Sequence, residues 1–164
     1  MIRYMKAAPT TWVMQFKGSR LKREGGGLSF FYWEPTTTLV QVPMASVDVP
    51  FAFTEVTADF QQVTVQGQLT FRVAEPKKLA ALMDYSVTAL GAYRSEDPQK
   101  LTERLVYAAQ ILTRTSLQQW ALREGLTRSE QLEKAVISGL RSTEVVQMLG
   151  VEVLSVSVLS VNGW

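Results

Sequence analysis

Hydrophobic and polar positions alternate most regularly between Gln62 and Arg72. Val63, Val65, Leu69, Phe71 and Val73 fall on one side, and Gln62, Thr64, Gln66, Gln68, Thr70 and Arg72 on the other. A period of two predicts a long strand with one dry and one wet face. Shorter alternations upstream predict more strands. Trp12, Met14 and Phe16 mark one from Thr11 to Lys17, and Gly18-Ser19 is a hairpin turn. Arg20 to Arg23 returns as a charged edge strand, broken by Gly25-Gly26-Gly27. Leu28, Phe30, Phe31, Tyr32 and Trp33 form a dense apolar run that ends at Glu34-Pro35. Thr36 to Val42 is rich in β-branched residues and reads as a strand. Ala45, Val47, Val49, Phe51 and Phe53 then alternate with polar or small residues, and Pro50 implies an edge position or a bulge. The strand containing the regular alternation is expected to begin at Phe60.

After Val73 the period changes. Pro76 sits at a first helical position before Leu79, Ala80, Leu82 and Met83. Residues 84–96 read as an extended or irregular connection. Asp97-Pro98 starts a helix, with Asp97 as the cap. Leu101, Leu105, Ala108, Leu112 and Thr115 carry that helix toward Glu124, where Gly125 ends it. Thr127-Arg128-Ser129-Glu130 matches a capping box, and Leu132, Val136, Leu140 and Val146 follow on one face. Leu149-Gly150 is a helix stop. In Val151 to Val161 the apolar positions begin odd and become even (Leu154, Val156, Val158), which predicts a bulge or a change of face.

The expected fold class is α+β: an N-terminal antiparallel, twisted β-sheet, then two or three helices and a final strand. Residues 1–10 read as a leader or linker, 11–161 as a single domain, and 162–164 as a tail. Within the domain, 11–75 is the β-rich half and 76–161 the helical half with the last strand.

Composition narrows the chemistry. The hydrophobic fraction of 46% against 20% charged residues belongs to a folded protein, not a disordered one. Cysteine and histidine are both absent. That removes disulfides, thiolate nucleophiles, Ser-His and Cys-His pairs, and the commonest transition-metal ligand. No cofactor, metal or catalytic residue is expected. A formal charge of +2 is too small to argue for nucleic acid. No stretch approaches the ~18 apolar residues of a membrane span, and Met1 to Pro9 lacks the apolar core of a signal peptide.

Five segments, in order, resemble the SPFH or band 7 family of stomatins, prohibitins and flotillins, in its bacterial form. They are Arg23-Glu24-Gly25-Gly26-Gly27-Leu28-Ser29-Phe30-Phe31, Val47-Asp48-Val49-Pro50-Phe51, Glu55 to Val65, Arg72-Val73-Ala74-Glu75-Pro76, and Leu149-Gly150-Val151-Glu152-Val153. The resemblance spans roughly Thr11 to Val161. It implies a non-catalytic scaffold of membrane microdomains that self-associates in the full-length protein. It further implies a place on the cytoplasmic side of a membrane, against lipid and membrane proteins, proteases among them. The family's usual membrane-inserted N-terminal segment and Glu/Ala-rich coiled coil are not in these 164 residues, so the chain reads as an excised domain.

Two surfaces follow as candidates. Lys17, Arg20, Lys22 and Arg23, with Phe30, Phe31 and Trp33, are the candidate membrane-facing set. Tyr and Trp favour the headgroup boundary, and basic residues favour anionic lipid. The competing readings are a core strand for the aromatics and a protected edge for the charges. Gln118, Gln119 and Trp120, near the expected helix end, are the candidate subunit interface. Two rival functions remain. One is a free-standing peptide-binding module that uses an open sheet edge. The other is a hydrolase built on Ser19 and Lys22, which match Ser-X-X-Lys by spacing, or on the carboxylates Glu130 and Glu133. Ser19 and Lys22 lie in an expected hairpin, and the two glutamates in an expected first helical turn, where acids favour the helix dipole.

Overall fold

Strands fill most of the first 73 residues, as the alternation requires. The computed structural model describes residues 1–163, with strands β1 (Ile2–Lys6), β2 (Thr11–Lys17), β3 (Arg20–Gly26), β4 (Ser29–Trp33), β5 (Thr37–Pro43), β6 (Val47–Val56) and β7 (Gln62–Val73). Helix α1 (Pro76–Leu82), strand β8 (Ser86–Val87), helices α2 (Asp97–Leu117), α3 (Leu122–Thr127), α4 (Ser129–Ser142) and α5 (Glu144–Met148), and strand β9 (Val151–Gly163) complete the order. This is the α+β fold expected. In place of one N-terminal sheet, however, the described residues form three: β1-β4, β3-β2-β5-β8 and β6-β7-β9.

The chain forms two compact units, each made from two stretches: Met1–Ala45 with Val73–Leu101, and Ser46–Arg72 with Thr102 onward. They do not coincide with the compositional halves 11–75 and 76–161. β6 and most of β7 belong with the long helices because β9, from the end of the chain, pairs with β7. Sequence-local patterning cannot show which strand a distant one will choose.

In the first unit, β2 pairs antiparallel with both β3 and β5, and β8 with β5. One face of this sheet carries Val13, Leu39 and Val87, which pack with Met5, Phe30 and Tyr32 of the β1/β4 ribbon. α1 packs against β5, with Leu79 fully buried. Residues 1–10 are therefore not a leader: Ile2–Lys6 is a strand along β4, anchored because Met5 enters the core. The β3 break falls at Gly27 only, since Gly25 and Gly26 pair with Val13 and Trp12.

In the second unit β6 is an edge strand, which accommodates Pro50 without losing a ladder bond on its free side. Val63, Val65, Leu69 and Phe71 are buried, as the alternation predicts. Arg72 faces Glu152, and Gln66 faces Ser160, so β9 runs antiparallel to β7. Its burial shifts phase between Val153 and Val156, past the exposed Leu154 and Ser155. The predicted change of face is there, although Leu154 itself points outward. Gly150, at φ 70, makes the left-handed turn from α5 into β9.

Three local expectations fail around the β6–β7 turn and the end of α2. β7 begins at Gln62, and Phe60 lies in the turn at φ 61. α2 stops at Leu117, not Glu124. The Trp120 carbonyl accepts the Ala58 N–H at 2.7 Å, and the Leu122 N–H donates to Asp59 Oδ1 at 3.0 Å. These bonds engage the backbone groups a continuing helix would use. Gly125 then sits buried inside α3, where an added Cβ would meet the Leu117 and Thr57 side chains. The capping box does not form either: Thr127 Oγ1 donates back to the Arg123 carbonyl, and α4 starts after Arg128. Asp97 is the first residue of α2, and its carboxylate accepts the Asp84 N–H.

Candidate functional site

The β1/β4 ribbon divides an aromatic run into two opposite faces. Its register sets Ile2 opposite Trp33, Tyr4 opposite Phe31, and Met5 opposite Phe30. Strand alternation then places Phe30, Tyr32 and Met5 inward and Ile2, Tyr4, Phe31 and Trp33 outward. The outward four are 70%, 56%, 69% and 52% exposed. The Tyr4 and Phe31 rings lie 4.8 Å apart, so the outer face is a contiguous apolar surface. Phe31 and Trp33 are thus surface residues. Phe30 is not: it is buried, and the Arg23 guanidinium lies 4.7 Å from its ring centroid. The sequence reading missed Ile2 and Tyr4, because five residues beside two lysine or arginine positions give too short an alternation to recognise.

The basic hairpin adjoins one end of this ribbon. Lys17 pairs with Arg20 across the turn, and Gln15 with Arg23; a register shift between Gln15 and Phe16 inserts Lys22. Lys17, Arg20, Lys22 and Arg23 are all exposed. Lys17 also lies opposite Thr37 at the start of β5. Lys17 and Gly18 line a hollow of about 530 Å³ with Pro35, Thr36, Thr37 and Thr38, the residues that follow Trp33 and Glu34. Glu34, the acid nearest this end of β4, is held by Arg3 at 2.9 Å. Among the described residues, Lys17, Arg20 and Lys22 have no ion-pair partner. The end therefore combines apolar surface with uncompensated positive charge.

The other candidates separate. Gln118 and Gln119 are exposed in the turn after α2. Trp120 is half-buried, with the Arg128 guanidinium 5.7 Å from its ring, and serves the local fold through its carbonyl. Ser19 and Lys22 lie on the exposed hairpin, not one turn apart on a helix. Glu133 Oε1 accepts the Val158 N–H at 2.7 Å, so this carboxylate bonds the β9 backbone instead of forming a pair with Glu130. No group of three or more metal-ligating side chains occurs among the described residues. No helix among them is long and apolar enough to cross a membrane.

The family model of the SPFH domain / Band 7 family matches residues 7–162. The chain belongs to this family. No curated protein matches it. Scaffold roles and association with membranes are typical of SPFH domains. Two of the resembling segments meet in space in this one: Arg72, leaving the long strand, pairs with Glu152 of Leu149-Gly150-Val151-Glu152-Val153.

Proposed function

We propose that this SPFH domain is a non-catalytic scaffold of membrane microdomains, on the cytoplasmic side, which self-associates and organises or restrains membrane proteins, proteases among them. The observation that carries this reading is the exposed face of Ile2, Tyr4, Phe31 and Trp33 beside Lys17, Arg20 and Lys22, which have no ion-pair partner among the described residues. An apolar face flanked at one end by basic residues suits the boundary of an anionic bilayer. Each buried aromatic contributes about 1.5–3 kcal/mol, and each basic residue near the surface about 1 kcal/mol. The entropy lost on association and on ordering side chains offsets much of this, so one copy binds weakly. Linked copies gain roughly 10²–10⁴ in avidity without new contacts, which is how a chain with no reaction centre holds partners in place. Gln118 and Gln119, with the edge of Trp120, supply the surface for a neighbouring copy.

Vesicle flotation tests the membrane claim. The domain is expected to float with phosphatidylcholine vesicles containing phosphatidylserine more than with phosphatidylcholine alone. The pair Phe31→Ser and Trp33→Ser should abolish that preference while leaving the urea midpoint unchanged. Equal flotation of the variant and the parent would sink the reading.

A further inference from the structure

Leu90 is 89% exposed at the tip of a tight turn. A single exposed leucine is ordinary; its position is what gives it meaning. The turn is closed by three bonds: Thr88 N–H to the Ala92 carbonyl at 2.7 Å, Gly91 N–H to the Thr88 carbonyl at 2.9 Å, and Ala92 N–H to Thr88 Oγ1 at 3.2 Å. The leucine is therefore held outward on an ordered support, so little further entropy is lost when it is buried elsewhere.

The strand register locates the turn. Val87 lies opposite Leu39, so the chain beyond β8 brings Ala89 level with Thr37. Thr37 lies opposite Lys17, and Lys17 opposite Arg20. One end of the sheet thus carries, side by side, Arg20, Lys17, Thr37 and the start of the Leu90 turn. A pocket of about 30 Å³ lined by Tyr32, Glu34, Thr37, Thr88, Ala89 and Arg94 sets the turn against the end of β4, next to Trp33. Ile2 and Trp33 form the terminal pair of the ribbon at that same end. Arg94, whose Nε donates to the Val87 carbonyl, adds a further positive charge.

We propose that the Leu90 turn is a second lipid anchor, and that the unit meets an anionic bilayer end-on. Leu90, Trp33 and Ile2 enter the headgroup boundary, and Lys17 and Arg20 lie on lipid phosphates. The proposal rests on the membrane reading above and adds an orientation to it. Tyr4 and Phe31 lie shallower, and Lys6 and Ser29, at the far end of the ribbon, stay in water.

Because the chain has no cysteine, single-cysteine labelling is free of background. Leu90→Cys and Ser29→Cys, each carrying an environment-sensitive fluorophore, are mixed with phosphatidylcholine vesicles with and without phosphatidylserine. Label 90 should shift to the blue on the anionic vesicles, and label 29 should not. Leu90→Asp should weaken partitioning on the order of tenfold to a hundredfold, with an unchanged urea midpoint, and Leu90→Met should restore it. Lys17→Gln should weaken it roughly fivefold. If the parent floats on anionic vesicles while label 90 stays in water, or Leu90→Asp floats like the parent, the end-on anchor is wrong and the membrane reading survives. If the parent does not float at all, both fall.

Discussion

Arg72 and Glu152 lie 80 residues apart in sequence, and both guanidinium contacts land on one carboxylate oxygen, Nη2 at 2.8 Å and Nε at 3.1 Å. They join the last turn of the ladder in β7 to the first residues of β9. Both side chains are nearly half exposed, at 42% and 49%. In that setting the Coulomb gain is largely offset by solvation and side-chain entropy. The ladder between the strands, not the ion pair, carries the energy. Glu152→Gln is expected to lower unfolding free energy by less than ~1 kcal/mol in urea titration, with added salt shrinking the difference further. A loss several times larger would mean that the pair sets the strand register.

Gly67 marks the point where that ladder cannot be altered. A Cβ there would collide with the Ser157 carbonyl oxygen and sit 2.6 Å from Phe51 Cζ. The phenyl ring could rotate away, but the β9 backbone could not. Gly67→Ala should therefore cost about 3 kcal/mol or more, and adding Phe51→Ala should not rescue it. Gly139 provides the contrast. The atoms met there belong to the flexible Leu112 side chain, and alanine gains about 1 kcal/mol of helix propensity. Gly139→Ala should be far milder. Thermal melts of the three variants rank these effects directly.

The Thr57–Asp59 turn carries a pH dependence. Asp59 Oδ1 accepts the Thr57 hydroxyl and the Leu122 N–H, and the hydroxyl is the larger cause of a carboxyl held below its ordinary value of 3.8. A depressed folded-state value means the ionised form is favoured by folding. This stabilisation is complete above 3.8 and is lost as pH falls through the lower folded value. Asp59→Asn should lower the urea midpoint at neutral pH and flatten its dependence on pH below that range. If the parent and the variant lose stability in parallel on acidification, the turn is not the titrating element.

The sequence showed faces more readily than partners. The alternation from Gln62 to Arg72 located the buried side of β7 correctly, because period two is a local property of the chain. Phe31 and Trp33 share a strand with Phe30 and Tyr32, yet composition alone could not separate the two faces. Their separation follows from the register with β1, a strand of five residues whose alternation is too short to stand out. Tertiary bonds overrode helix signals where distant groups competed for the same backbone. Asp59 and Ala58 end α2 early, and Gly125 becomes a packing residue instead of a stop. Leu90 was unreadable in the sequence, since its meaning depends on the pairing of β8 with β5.

Glu55 supplies the strongest asymmetry in the second unit. Its side chain is 9% exposed on β6, while Arg114 on α2 is 44% exposed. Arg114 donates Nε to Oε2 at 3.0 Å and Nη2 to Oε1 at 3.2 Å, and Gln110 adds a bond to Oε1 at 3.1 Å. The Glu55 hydrogen bond raises the Arg114 guanidinium above its ordinary value, so the cation is fixed throughout the accessible pH range. The two partners do not lose equally. Arg114→Ala strands a buried carboxylate with one neutral donor, and an unpaired buried charge is the costly outcome. Glu55→Gln leaves a neutral amide that can still accept from Gln110, and returns an arginine to water at little cost. Arg114→Ala is therefore expected to destabilise more than Glu55→Gln, and the double variant less than Arg114→Ala alone. Urea unfolding of the three variants closes the cycle. Equal losses from both single variants would show that packing of the arginine stem, and not the buried charge, sets the energy at this contact.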